Sequence, residues 1–132
     1  MLNITKQSDY GIILLASLKN KTHFIPLSDL ITKTKLPKRY LARIASQLAQ
    51  HKLIISREGK IGGYKLAKNV LATSLFDYLK IFEGELNLAK CQDENYTCKW
   101  EKICHHKNFL THKLSKILNS ELKKITLGQL LE

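Results

Sequence analysis

An amphipathic helix pattern followed directly by a hairpin pattern dominates residues 36–67. Apolar side chains recur there at three- and four-residue steps and share one helix face; they are Leu41, Ile44, Ala45 and Leu48. The opposite face is polar and free of acids; it holds Arg39, Arg43, Ser46 and Gln50. Pro37 suits the first helical position, because its missing N–H costs nothing there. Such a helix suits a reader of the DNA major groove, and an ordinary amphipathic surface helix is the alternative.

A β-hairpin is predicted immediately after this helix. Two short β-type runs, 53–57 and 64–67, enclose a loop with glycines at positions 59, 62 and 63. Glycine permits positive φ and lets the backbone approach another surface closely. A hairpin in this place is typical of a wing, whose basic side chains contact phosphates or a minor groove; here they are Arg57, Lys60 and Lys65. A nucleotide-binding loop is the alternative, but no helix follows and neither nucleotide fingerprint is present.

The charge of the chain indicates a polyanionic partner. The net charge is +11, from 22 basic and 11 acidic residues, and such an excess suits DNA, RNA or an anionic membrane. A basic protein without such a partner is the alternative. From Leu30 to Arg57 there are seven basic residues and no acid; the basic residues are Lys33, Lys35, Lys38, Arg39, Arg43, Lys52 and Arg57. This asymmetry favours one surface that binds a phosphate backbone.

The remaining patterns are mostly helical. A helix is expected over 9–19, and a second one begins at Pro26 with Ser28 as its N-cap. After the hairpin, a further helix is capped at Thr73-Ser74, runs through Phe82 and ends at Gly84. The fold class is therefore mainly α with a small β-hairpin, a winged helix-turn-helix with a long C-terminal dimerisation helix.

A long apolar stripe occupies the C-terminal third from Ile103 onward. Its members recur with helical spacing; they are Leu110, Leu114, Ile117, Leu118 and Leu122. This far from the predicted core, the stripe favours pairing with a second copy in a two-fold homodimer. Docking against the first helix is the alternative, and the two are compatible. Residues 1–72 are thus expected to bind DNA, and residues 73–132 to hold a sensor loop and the dimerisation helix, within one compact domain.

Three cysteines, Cys91, Cys98 and Cys104, lie within fourteen residues and are followed by His105 and His106. An odd, clustered set argues for ligation or redox chemistry rather than a disulfide framework. Three thiolates with a nearby histidine or carboxylate can hold an iron–sulfur cluster or zinc. The gaps are wider than those of structural zinc sites and ferredoxins. Inert or redox-active cysteines are the alternative.

Four stretches beside the cysteines carry a family resemblance. They are Ile4–Gly11 before the first helix, Leu36–Leu41 at the third helix, Arg57–Ala67 in the hairpin and Ile125–Gly128 near the end. With these stretches the chain resembles, from end to end, the bacterial IscR/NsrR family of iron–sulfur-dependent transcription regulators. The resemblance implies a homodimer with its two recognition helices in successive major grooves of a palindromic promoter site. It also implies a cluster held by Cys91, Cys98 and Cys104, and a role in controlling cluster-assembly genes.

The fourth cluster ligand is less defined. Two-iron members of the family place a histidine three residues after the last cysteine, where this chain has Lys107. Nitric-oxide-sensing members use an aspartate near the start of the first helix, donated by the partner subunit, and Asp9 stands there. We therefore expect Asp9 as the fourth ligand, with His105 or His106 as rivals and a helix-dipole role for Asp9 as the alternative. The cluster is a four-iron or a two-iron one.

Together these patterns predict a cytoplasmic DNA-binding repressor. Its promoter affinity is expected to follow the cluster, which senses cluster or iron status, oxidative stress or nitric oxide. A DNA-binding regulator with a zinc or thiol-redox switch is the second hypothesis. No apolar run reaches the roughly 18 residues that span a bilayer, so no membrane partner is expected. The chain has no Ser-His-Asp arrangement, paired carboxylates or nucleotide loop, so we do not expect an enzyme. Arg39, Arg43, Lys38, Tyr40 and Ser46 are the expected contacts of the helix with DNA.

Overall fold

The computed structural model describes residues 4–132. It is mostly helical with one two-stranded antiparallel hairpin, as predicted. The elements are α1 (Lys6–Leu18), α2 (Leu27–Thr34), α3 (Lys38–Gln50), β1 (Ile54–Arg57), β2 (Gly63–Leu66), α4 (Leu75–Glu83), α5 (Ser115–Lys124) and α6 (Leu127–Leu130). A π-helical turn, Phe109–Leu114, leads directly into α5, and short 3₁₀ turns occupy Val70–Ala72 and Lys90–Gln92. In the part of the chain that the structure describes, no helix is long and apolar enough to cross a membrane.

Helix α1 begins at Lys6, three residues before the predicted start. The Thr5 hydroxyl accepts a hydrogen bond from the Ser8 N–H and caps the helix. A second cap comes from α4, whose Glu83 Oε1 accepts from the Thr5 N–H at 3.0 Å, the Thr5 hydroxyl at 2.9 Å and the Ser8 hydroxyl at 2.6 Å. A carboxylate at this end also suits the helix dipole. Glu83 therefore fastens the start of α1 to the end of α4.

Replacing Glu83 by glutamine is expected to lower the free energy of unfolding by about 0.5–1 kcal/mol at neutral pH. Burial disfavours the charged form of Glu83, but the hydrogen bonds from Ser8 and Thr5 outweigh it and hold the pKa below its usual 4.5. Because the folded-state pKa is lowered, this stabilisation is complete above the unfolded-state pKa and is lost as pH falls through the folded-state pKa. Denaturant titrations between about pH 7 and about pH 3 should show the two proteins converging in acid. A difference that stays constant with pH would contradict this role, and Glu85→Gln serves as the control.

The start of α2 differs from the expectation by two residues and that of α3 by one. Pro26, not Ser28, occupies the N-cap position of α2, because the Pro26 carbonyl already accepts from the Leu30 N–H. The predicted cap at Ser28 was therefore wrong. Pro37 is likewise the N-cap of α3 rather than its first residue, and its carbonyl accepts from the Leu41 N–H at 3.0 Å. In both cases a proline fixes the φ that starts the helix.

Helix α3 buries its apolar face as predicted. Leu41, Ile44, Ala45 and Leu48 are fully buried. They pack against α1, whose Leu14, Leu15 and Leu18 are equally buried. Packing of this depth fixes the rotation of α3 about its axis, because turning it would expose leucines on one side and bury arginines on the other.

The hairpin is antiparallel, with Ile54 opposite Leu66 and Arg57 opposite Gly63. It is also tied to Ile25, two residues before α2: the Ile25 and Tyr64 backbones exchange two hydrogen bonds, each 2.8 Å long. Gly63 has φ +140°, and a Cβ there would collide with the Ile25 carbonyl. Glycine is needed at this position because the chains approach so closely. The hairpin is therefore held firmly against the helical part of the domain.

Tyr78 of α4 lies at the centre of the core and is fully buried. Its hydroxyl donates to the Ser8 carbonyl. Burial, together with the charges of Asp9 and Glu83, raises the pKa of this hydroxyl, so it remains a donor. Gly11 lets α1 approach this ring, because a Cβ there would collide with the Tyr78 hydroxyl. The contact explains a glycine inside an otherwise apolar helix.

The two C-terminal helices pack on different elements, α5 on α4 and α6 on the 3₁₀ turn Val70–Ala72. The sequence offered docking of the apolar stripe on the first helix as the alternative to dimerisation. In the structure α5 lies against α4 instead. Leu127 of α6 is fully buried, and the Leu75 N–H donates to the Ile125 carbonyl at 2.7 Å. The predicted start near Ile103 was too early, because Ile103 lies in a turn and is 65% exposed. Part of the apolar stripe also remains uncovered, with Ile117 at 60% exposure.

Candidate nucleic-acid interface and cysteine segment

The outer face of α3 presents the predicted DNA-binding side chains to solvent. All are exposed; they are Lys38, Arg39, Tyr40, Arg43, Ser46 and Gln50. Arg39, Tyr40 and Arg43 line one surface cleft. The Tyr40 ring meets the Tyr10 ring of α1 edge to face, with 6.3 Å between the ring centroids. This contact with Tyr10, which the sequence did not reveal, steadies the centre of the basic face.

The positive charge of the chain is concentrated in the N-terminal half, which contains α3 and the hairpin. Residues 1–72 hold thirteen basic and three acidic residues, so nearly all of the net charge of +11 lies there. Within residues 4–132 the ion pairs lie in the C-terminal half, such as Glu101 with Lys107 at 2.9 Å. The arginines of α3 and of the hairpin are not neutralised by acids in the described chain. An unneutralised basic surface attracts phosphates over several ångströms.

The hairpin adds a second basic element beside α3. Strand alternation puts Ile55 and Arg57 on the face opposite Ile54, which is buried. Lys65 pairs with Ile55 and shares that outward face. The Arg57 guanidinium stacks over the Phe24 ring at 5.5 Å from its centroid. Phe24 was not predicted to matter, because a contact between residues so far apart in the chain leaves no local pattern.

The three cysteines lie in an irregular segment between α4 and the C-terminal helix. Each is half-buried and none forms a disulfide. Within residues 4–132, the structure brings no three His, Cys, Asp or Glu side chains together in a group able to hold a metal. Cys104 lies 3.5 Å from His106, measured from Sγ to Nδ1. Asp9 is exposed on the first turn of α1, and His105 is also exposed.

Lys107 lies close to two of these thiols. A hydrogen bond from its ammonium to Glu101, at 2.9 Å, and the charge of that carboxylate raise the pKa of Lys107. Cys91 and Cys104 contribute further in the same direction. A donor set of three soft thiols and an imidazole fits an iron–sulfur cluster chemically, although residues 4–132 of one copy do not gather it.

Gln92 connects the cysteine segment to the C-terminal helix. Its side-chain oxygen, Oε1, accepts hydrogen bonds from the Leu88 N–H at 2.6 Å and the Ala89 N–H at 3.0 Å. Its amide nitrogen donates at 2.8 Å to the hydroxyl of Ser115, which is buried. Ser115 in turn donates to the Leu110 carbonyl at 2.8 Å, across the π-helical turn. The residue next to Cys91 is therefore hydrogen-bonded to the first residue of α5, a link that sequence reasoning missed.

Known proteins similar to this chain match nearly all of its length. The chain is 26% identical over 131 residues to the HTH-type transcriptional regulator IscR of Klebsiella pneumoniae, a match covering 98% of this chain and 79% of that protein. The crystal structure of the oxidized form of Staphylococcus aureus CymR superposes with a TM-score of 0.71 at 25% identity, covering 98% of this chain and 96% of that one. T. potens IscR shares the fold, with a TM-score of 0.67 at 22% identity, covering 98% and 86%.

The sequence profile of one family spans every residue that the structure describes. That family is Rrf2, described as iron-dependent transcriptional regulator, and its profile matches residues 4–132. The match includes α3 with its exposed arginines, the hairpin and the cysteine segment. The expectation of a regulator rather than an enzyme is thereby confirmed. This chain is similar to the IscR proteins and belongs to the Rrf2 family of DNA-binding transcriptional regulators.

Proposed function

We propose that the protein is a cytoplasmic, homodimeric repressor whose affinity for promoter DNA is controlled by an iron–sulfur cluster. The acid-free, exposed arginine face of α3, locked in orientation by its buried leucines, carries the DNA-binding part of this proposal. Three half-buried thiols, two of them near the Lys107 ammonium, support the cluster. Its signal would be cluster or iron status, oxidative stress or nitric oxide.

The DNA contacts divide between helix and hairpin. Arg39 and Arg43 project from the exposed face of α3 and would contact base edges or phosphates in the major groove. Lys38, Tyr40 and Ser46 lie on the same face and would add contacts that fix the helix in register. Arg57, Lys60 and Lys65 would serve the hairpin. Residues 1–72 would thus act as the DNA-binding region.

A second copy would complete the regulator. Phe109 and Ile117 of the C-terminal helical segment are 52% and 60% exposed and lie eight residues apart, so they share one helix face. Burying this face against its symmetry mate would join two DNA-binding regions and set the distance between their α3 helices. A two-fold pair of helices suits a palindromic site with half-sites one helical turn apart.

Cys91, Cys98 and Cys104 would hold the cluster. Asp9 is exposed and so is accessible to a second subunit, which supports it as the fourth ligand. His106, 3.5 Å from Cys104, is the rival within the same chain, with His105 beside it. When bound, the cluster would supply iron that links these ligands. Loss or nitrosylation of that iron would free the ligands from one another.

Gln92 would carry this change to the dimer helix. Binding of Cys91 to a cluster would move its neighbour Gln92. The side-chain amide of Gln92 is hydrogen-bonded to Ser115 at the start of α5. The adjoining π-helical turn is a rare geometry that often marks functional sites. Movement at this junction would alter the spacing of the two α3 helices. A coupling of about 1–3 kcal/mol is typical of such switches.

Replacing Gln92 by alanine is expected to reduce the difference in DNA affinity between the cluster-bound and cluster-free protein to less than about threefold. The cysteines are untouched, so iron content should stay at the wild-type level. Anisotropy titrations of both forms with labelled DNA would measure the ratio. Asn95→Ala removes an exposed amide from the same segment and serves as the control. An unchanged ratio in the Gln92 variant would rule out this link.

A thiol switch without metal is the second candidate function. A relative of known structure, S. aureus CymR, has been crystallised in an oxidized form. The described chain gathers no three metal ligands by itself, so the cysteines could respond by oxidation alone. Colour separates the two candidates, because a cluster absorbs visible light and a dithiol or zinc site does not.

Anaerobic purification with iron and sulfide analysis, followed by DNA titration with and without the cluster, tests the proposal. We expect brown protein with stoichiometric iron and sulfide, and a DNA affinity that changes at least about fivefold when the cluster is removed. Colourless protein whose DNA affinity changes only on thiol oxidation would favour the second candidate. Brown protein with equal affinity in both forms would contradict control by the cluster.

A further inference from the structure

The hairpin carries an exposed apolar residue at its tip. Ile61 is 83% exposed, more than any other large hydrophobic side chain that the structure describes. Single exposed hydrophobic residues are common on protein surfaces, so exposure alone carries no conclusion. Its position is unusual, however, because Ile61 adds nothing to the core and stands in a tight turn.

The turn itself is rigid. The Gly62 N–H donates to the Gly59 carbonyl at 3.0 Å, which makes Lys60 and Ile61 the two corner residues of a four-residue turn. Gly59 has φ +103°, and a Cβ on Gly62 would collide with the Arg57 carbonyl. Such corners normally hold glycine, asparagine, aspartate or serine. A β-branched apolar residue here is not explained by turn formation.

Two basic side chains lie near this tip, together with one acid, Glu58. Lys60 precedes Ile61 in the turn, and Arg57, the last residue of β1 before the loop, is stacked on Phe24. The two hydrogen bonds between Ile25 and Tyr64 fix the hairpin to the helical part of the domain. The strands that carry the tip are therefore held in place beside the helices, and the cations near the tip favour a phosphate-lined surface.

We propose that Ile61 enters the minor groove beside each half-site and presses against a base step, so that the protein selects DNA for its deformability there. This inference rests on the proposed DNA-binding function. Apolar side chains inserted from the minor groove partly unstack a base step and bend the duplex. Pyrimidine–purine steps such as TA yield most easily, whereas A-tracts are stiff. Lys60 would hold the flanking phosphates while Ile61 makes the apolar contact.

The test is selection of duplexes from a library with random 40-base-pair cores, using the anaerobically purified full chain and its Ile61→Ser variant. The wild type should enrich a core motif read by α3, together with flexible steps at a fixed distance on each side. Ile61→Ser should keep the core motif and lose the flanking preference. For a selected duplex, exchanging the flexible step for an A-tract should weaken the wild type about tenfold and the variant less than about twofold.

The controls separate this contact from general effects on the hairpin. Ile125→Ser makes the same change at a 37% exposed position outside α3 and the hairpin and should behave as the wild type. Ile61→Leu keeps an apolar tip and should retain the flanking preference. Identical flanking steps for wild type and Ile61→Ser would overturn this inference and leave the DNA-binding function intact. Failure of the wild type to enrich any core motif would overturn both.

Discussion

Replacing Arg39 and Arg43 together by alanine is expected to weaken specific DNA binding by about 100-fold or more. A side chain that contacts a base edge contributes about 1–3 kcal/mol, and both arginines project from the acid-free face of α3. Neither is paired with an acid in the described chain, so their removal leaves no buried group unsatisfied. The melting temperature should therefore change little. Anisotropy titrations at fixed salt would measure the effect.

The matched control removes two positive charges elsewhere. Lys80 and Lys124 are exposed, lie outside α3 and the hairpin, and pair with Glu85 and Glu121. Their double alanine variant should bind DNA within about twofold of the wild type. If both double variants lose affinity equally, the arginines contribute only to overall charge. If neither loses affinity, α3 does not contact DNA.

Replacing Cys91, Cys98 or Cys104 singly by serine is expected to abolish cluster binding. Each thiolate would supply one iron bond, and the hydroxyl of serine is a far weaker ligand for iron. Bound iron and visible absorbance should fall to background in all three variants. The DNA affinity of each variant should match that of the cluster-free wild type, whatever its direction of change.

His112→Ala is the control for this experiment, because His112 is exposed on the π-helical turn and lies outside the cysteine segment. It should retain full iron. Comparing Asp9→Ala with His106→Ala then distinguishes the two candidates for the fourth ligand. Iron retained in any one cysteine variant would remove that residue from the ligand set. Iron retained in all three would contradict the cluster site.

Local patterns predicted the parts of the fold that single elements determine. The spacing of Leu41, Ile44 and Leu48 correctly predicted the buried face of α3. The glycines of residues 59–63 predicted the hairpin, and Ser74 caps α4 as expected. These features depend on residues a few positions apart, because the chemistry of a single turn or helix face determines the local structure. They were sufficient to indicate the family that the sequence profile confirms.

Contacts between distant residues were beyond this kind of prediction. Nothing near Thr5 shows that Glu83, 78 residues away, completes its cap. The links between Gln92 and Ser115 and between Arg57 and Phe24 likewise depend on how elements pack. Ser28 was chosen as a cap on residue type, whereas the Pro26 carbonyl starts the helix two residues earlier. The residues of the cysteine segment were predicted as ligands, and their assembly stays a prediction.

Photo-crosslinking from two matched tyrosine positions tests the central claim, that α3 turns its basic face to DNA, most directly. Tyr40 on α3 is 45% exposed and Tyr96 in the cysteine segment is 47% exposed, so a benzoylphenylalanine at either site is equally accessible. With a labelled duplex selected by the wild type, we expect a strong protein–DNA crosslink from position 40 and none above background from position 96. Crosslinking only from position 96, or equally from both, would contradict the account.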